Sequence, residues 1–172
     1  MPVFKSNLFT QDDVNNAVNS ALAANKPAEE FVQVGGLITL SSNITPVNNV
    51  PPQNTQGTQF LFDSITVQGP ISKVLIMISF NGSVAVPNNV LTWALFRDNI
   101  VDAIHSRNSR AAIDFKAYSS FYIDSPGALG KIDYFVRGGA NASNFYVNGD
   151  SSGNQVLGGS CQASLYLKEI LP

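Results

Sequence analysis

The chain has 172 residues, a net charge of −2, 13% charged and 44% hydrophobic residues, one cysteine and one histidine. That length holds one domain with a real core plus a terminal segment, and the acidic balance lacks the basic stripe that phosphates require, which argues against a nucleic-acid partner. A single cysteine rules out a disulfide within the chain and a metal site built from several thiolates.

The charged fraction falls well under the roughly 25% of soluble domains, and Asn, Ser, Thr, Gln and Gly fill the difference. A surface short of Lys and Glu loses less when covered, which points to an assembly. The opening "MPVFKSNLF" has no apolar stretch of the kind a secretory leader needs, and the longest apolar run, "VLIMISF", is too short to span a bilayer. No membrane partner is expected, and synthesis in a cytoplasm is.

"FTQDDVNNAVNSALAANKP" predicts a helix. Thr10 and Asp13 form a capping box, Asp12 and Asp13 favour the positive end of the dipole, and Asn25, Lys26 and Pro27 end the run. Val14, Ala17, Val18, Ala21 and Leu22 fall on one narrow apolar face. About four turns with several Asn and Ser residues are marginal alone, so packing must stabilise them. Two dockings fit: the helix caps its own domain, or it grips a partner. Phe4, Leu8 and Phe9, with no solubilising charge run among them, favour the partner.

From Phe31 onward, short apolar or alternating runs are separated by Gly, Pro, Asn and Ser, the pattern of an all-β sandwich. The candidates are "EFVQV", "GLITLSS", "TQFLF", "SITVQG", "KVLIMISFN", "NVLTWALFR", "NIVDAIHS", "AAIDFKAYS", "SFYIDS", "KIDYFVRG", "NFYVNG" and "QASLYLKEI". They merge into eight to ten strands, as in an antiparallel jelly roll with extras. The expected organisation is an arm with one amphipathic helix over 1–30 and a jelly-roll sandwich over 31–172. Asp98 and Asn99 tolerate a left-handed backbone and predict a tight hairpin. Ile132, Tyr134, Val136, Ala163, Leu165 and Leu167 alternate with outward positions and should face the core. Phe135 and Tyr166 then point outward, and a subunit interface would explain them.

Nothing in the sequence recommends catalysis. His105 reads as a surface or edge residue; Asp98, Asp102, Asp114, Asp124 and Asp133 occur singly; and Cys161 reads as a small buried or half-buried hydrophobe. The loop "VNGDSSGNQVLGGS" matches neither a phosphate-binding nor a calcium-binding spacing. No cofactor, metal site or enzymatic activity is expected. The glycosylation-type triplets at Asn43, Asn81 and Asn141 reflect an Asn- and Ser-rich composition.

Four features of the C-terminal half carry a resemblance: the Arg97-Asp98 pair before a hairpin, the Asp-x-Pro-Gly loop at 124–127, the alternating "YFVR" strand at 134–137, and a last strand ending in Glu169-Ile170. Over Trp93 to Ile170 the chain resembles the jelly-roll domains of phage structural proteins, similar in shape to the trimeric tumour-necrosis-factor and complement-head folds. Beginning at Met1 and lacking a long shaft, it looks like a whole short capsid decoration (cement) protein. The resemblance implies a homotrimer on the outer surface of a virion, bound to the major capsid protein and stabilising the head. Phe4, Leu8, Phe9, Val14, Val18 and Leu22 would contact the capsid or a neighbouring arm, and Tyr118, Phe121, Tyr122, Phe135 and Tyr166 the trimer mates. The alternative is a fibre tip in which aromatics near Tyr118, Phe121 and Tyr122 stack on a host-surface glycan.

Overall fold

Alternation with a period of two decides most of the structure. In this computed structural model the described residues are 10–24, 26–44, 50–110 and 115–172, with only the backbone described for 21–24. They comprise one helix, α1 (Gln11–Ala24), and ten strands: β1 (Glu29–Gly35), β2 (Ile38–Leu40), β3 (Thr58–Val67), β4 (Lys73–Val84), β5 (Val90–Arg97), β6 (His105–Arg110), β7 (Lys116–Asp124), β8 (Gly130–Ala140), β9 (Phe145–Val147) and β10 (Gln162–Ile170), with a short 3-10 turn at Leu157–Gly159.

Sheet 1 sets β10 between β1 and β4 and puts β7 on the other edge of β4. The short strands β2 and β9 continue the β1 and β10 positions along β4. Sheet 2 runs β3-β8-β5-β6. The pairings nest: β1 with β10, β3 with β8, β4 with β7 and β5 with β6, all antiparallel. This nesting is the winding of a jelly roll, as the sequence predicts.

The core fills the space between the sheets. Phe80 sits at its centre, with the rings of Tyr118, Phe60, Phe145 and Trp93 at 5.1, 5.3, 6.0 and 6.1 Å. Each large side chain so buried contributes about 1.5–3 kcal/mol. Ile132, Tyr134, Val136, Ala163, Leu165 and Leu167 all face this core, as alternation requires, and Cys161 is a buried free thiol.

Several expectations change. "TQFLF" and "SITVQG" are one strand, β3, interrupted by a bulge between Gln59 and Leu61. The bulge sends the consecutive residues Phe60 and Leu61 both into the core and turns Phe62 outward. "NIVDAIHS" is not one strand: a turn closed by Ile100 N–H on the Arg97 carbonyl (3.1 Å) leads into a loop that bridges to Gln53 at Asp102, and the ladder with β5 begins at His105. Asp98 adopts the left-handed backbone there (φ 48°), whereas Asn99 does not. "GLITLSS" narrows to the three residues of β2.

Two buried carboxylates fasten the sandwich. Asp124 Oδ2 accepts hydrogen bonds from Arg97 Nη1 and the Tyr134 hydroxyl, both at 2.7 Å, so one oxygen links β7 of sheet 1 to β5 and β8 of sheet 2. Burial first, then the Asp124 contact, raises the Tyr134 pKa and keeps its phenol protonated. Glu169 accepts the backbone N–H groups of Gln68 (2.8 Å) and Ala28 (3.3 Å). Burial opposes its charge, yet these donors win and hold its carboxyl below the usual range. With Gln68 Nε2 on the Lys26 carbonyl (2.8 Å), they pin the root of the arm to the domain.

Candidate functional site

The outward residues of sheet 1 fall into register across all four strand positions. Phe31 of β1 pairs with Tyr166 of β10, Tyr166 with Met77 of β4, and Met77 with Phe121 of β7. At about 4.8 Å per strand, this row spans roughly 14 Å. Phe31, Met77 and Phe121 are 55%, 49% and 71% exposed. A second row, Gln33, Ser164, Ser79 and Ser119, lies beside it and is small and polar. Together they shape a shallow concavity of 790 Å³ whose lining carries a single charged side chain, Arg107. Scattered exposed apolar residues are ordinary, but a contiguous row of this size marks an interaction surface.

One flank of the row is tied down. The Tyr166 hydroxyl donates to Glu29 Oε1 at 2.8 Å, Lys168 lies 3.8 Å from the other Glu29 oxygen, and the Phe31 ring meets Tyr166 edge-on at 6.4 Å. The Glu29 contact raises the Tyr166 pKa.

The arm supplies a second apolar surface. Thr10 and Asp13 form the predicted capping box: Asp13 Oδ2 accepts the Thr10 N–H (2.8 Å) and hydroxyl (2.7 Å), while Thr10 Oγ1 accepts the Asp13 N–H (3.2 Å). These bonds lower the Asp13 pKa. Every described side chain of α1 is exposed, including Val14 (46%) and Val18 (51%). The chain's own core therefore does not cover Val14, Ala17 or Val18, the described part of the predicted apolar face. Phe4, Leu8 and Phe9, and the side chain of Leu22, lie outside the described residues.

The five residues expected at a trimer interface separate into three places. Phe121 and Tyr166 share the outward row of sheet 1. Tyr118 and Tyr122 instead turn inward at the seam between β6 and β7 and pack on the core. Phe135 lies on the outer face of sheet 2, stacked on the buried Phe96 at 5.3 Å. Phe31 and Met77 escaped the sequence reading. Phe31 was visible as the residue out of phase with Val32 and Val34, but only the pairing shows that four strands put their apolar outliers in one line.

His105 Nε2 lies 3.0 Å from Ser120 Oγ, and its ring is held between Tyr122, stacked at 5.2 Å, and Trp93, edge-on at 5.5 Å. Burial and then Arg107 lower its pKa. Among the described residues no carboxylate orients its other nitrogen, no group of three His, Cys, Asp or Glu side chains could hold a metal, and no helix is long and apolar enough to cross a membrane. Asp114 lies outside the described residues.

No family model and no curated protein matches the chain. Among solved structures it is similar to that of the infectious bursal disease virus Gt strain, at 9% identity and TM-score 0.38, over 86% of this chain and 38% of that one. The VP2 subviral particle of infectious bursal disease virus gives 7% and 0.36, over 84% and 42%. The enzymatically active domain of bacteriophage CBA120 tailspike protein 4 gives 14% and 0.34, over 80% and 19%. The chain thus spans less than half the length of each of these structures. Likenesses this weak carry no assignment.

Proposed function

We propose that the chain is a structural protein of a virion: a trimeric decoration protein that sits on the outer capsid surface and stabilises the head. The observation that carries this reading is the pair of unpartnered apolar surfaces, the row Phe31, Tyr166, Met77, Phe121 on sheet 1 and the exposed face of α1. The row is suited to a copy of the same chain, since its own four side chains are uncharged and exclude little by charge. The arm is suited to a second surface: its root is pinned by Glu169 and Gln68, while the side chains of residues 11–20 of its helix are exposed. The resemblance of the Trp93–Ile170 half to phage jelly-roll domains supports the virion setting, and the trimeric state rests on that resemblance.

The mechanism is mechanical. Trimers bridge capsid subunits and resist internal pressure by adding buried area across subunit joints. The test is to remove residues 1–26 and measure both capsid co-sedimentation and mass by light scattering. The reading expects capsid binding to be lost while the trimer persists. Capsid binding retained without the arm would reject the arm's role, and particles that survive heat equally with and without the protein would reject reinforcement.

A further inference from the structure

The outer face of sheet 2 carries a second feature that self-association through sheet 1 leaves open. The β3 bulge turns Phe62 outward, 45% exposed, and the register sets it directly opposite Phe135 of β8. Phe135 is backed by the fully buried Phe96, parallel to it within 14°. The two outward rings form the floor of a concavity of 400 Å³ rimmed by Gln59, Asp98, Asn99 and Asp133. The rim is fixed in advance. Asp98 N–H donates to the Asp133 carbonyl and Asp98 Oδ1 accepts the Asp133 N–H, both at 2.8 Å, and Lys131 lies 3.0 Å from Asp133 Oδ1.

We propose that this site binds a neutral saccharide. A pyranose presents one face of C–H groups and an equatorial belt of hydroxyls. An aromatic floor takes the first, and planar side chains around it take the second. Carboxylates accept from neighbouring hydroxyls, and the amides of Gln59 and Asn99 both donate and accept. Two carboxylates on the rim, one of them paired with Lys131, and a lining without a cation offer nothing to attract uronates, sialic acids or phosphate. The proposal is of binding alone: contact with Lys131, then Ser64, holds the Asp133 carboxyl below its usual range, which suits an acceptor of hydroxyl hydrogen bonds. The inference stands independently of the decoration reading, because it uses the opposite face of the sandwich.

The test is an NMR titration of the full chain with maltohexaose, cellohexaose, xylohexaose and chitotetraose, with sialyllactose and inorganic phosphate as charged probes. At least one neutral oligosaccharide is expected to bind with a Kd on the order of 0.1–10 mM, as suits a shallow open site, and to shift resonances of β3 and β8 around Phe62 and Phe135. Phe62→Ala should weaken it at least about tenfold, Asp98→Asn, which keeps a residue tolerant of the left-handed turn, should weaken it severalfold, and Val86→Ala in the exposed turn between β4 and β5 should leave it unchanged. The proposal is overturned if no neutral probe binds at 20-fold that range's midpoint of about 1 mM, if Phe62→Ala binds as tightly as the parent, if the shifts map elsewhere, if sialyllactose binds better, or if free reducing ends accumulate.

Discussion

The two outer faces of the sandwich carry the same kind of strand and differ in what lies over them. On sheet 1 the outward row is exposed at Phe31, Met77 and Phe121 and half-buried at Tyr166. On sheet 2 the corresponding face is largely roofed. Thr92, Ala94 and Phe96 of β5 point away from the core, yet all three are buried. The segment through Ser42 and Ile44 crosses β8 so closely that a Cβ on Gly139 would strike the Ser42 carbonyl and approach Ile44 N at 3.0 Å. Where the chain covers its own sheet it uses glycine and a continuous apolar strand. Where it leaves the sheet open it sets a row of serines beside the apolar line, with Leu75 and Ile123 in the row beyond.

Breaking what the faces share should have the largest effect. Asp124→Asn leaves Arg97 and the Tyr134 hydroxyl in the interior without their anion and should cost about 3–5 kcal/mol, lowering the calorimetric melting temperature by on the order of 10 °C; a loss under about 2 °C would mean that Asp124 does not fasten the sheets. Met77→Asp places a carboxylate in the open row and should weaken self-association at least about 100-fold, seen as monomer by light scattering, with melting within about 0.5 kcal/mol of the parent. Phe62→Asp on the other face should leave the assembled mass unchanged.

Next in size is a matched pair. Gly139→Val should cost about 1–3 kcal/mol by forcing the roof off sheet 2, whereas Ser79→Val on bare sheet 1 should stay within about 0.5 kcal/mol; equal costs in urea melts would erase the distinction between the faces. Thr10→Ala should remove about 1 kcal/mol from α1, read as lost helical circular dichroism with an unchanged sandwich transition. The smallest effect concerns pH. The Glu169 pKa is lowered on folding from its ordinary 4.5, so the unfolded chain binds the extra proton, and the stability it adds is present above about pH 4.5 and lost as pH falls through the folded value. Glu169→Gln should therefore be less stable near neutral pH and show a flatter acid limb.

Much of the sandwich was legible because it obeys alternation: the inward sets of β8 and β10 and the end-capped helix need only local rules. The β3 bulge was not legible, because the extra residue that places Phe60 and Leu61 on the same side is set by the partner strand. Strand β6, "HSRNSR", has no apolar signal; its pairing with β5 and the clamp of His105 by Tyr122 and Trp93 hold it in place. The candidate surface was half visible for the same reason. Phe121 and Tyr166 could be suspected one at a time, while their alignment with Phe31 and Met77 belongs to the pairing of strands far apart in the chain.

The position of β10 between β1 and β4 also orders events during synthesis. Tyr166 is the second member of the apolar row, so a nascent chain that has not yet emerged to that residue can hold β4 and β7 together but leaves a gap where the row should run. Closing that gap joins residues more than a hundred positions apart and comes late. The row is therefore completed only when strands distant in the chain have paired, and a partly folded chain carries no continuous apolar line.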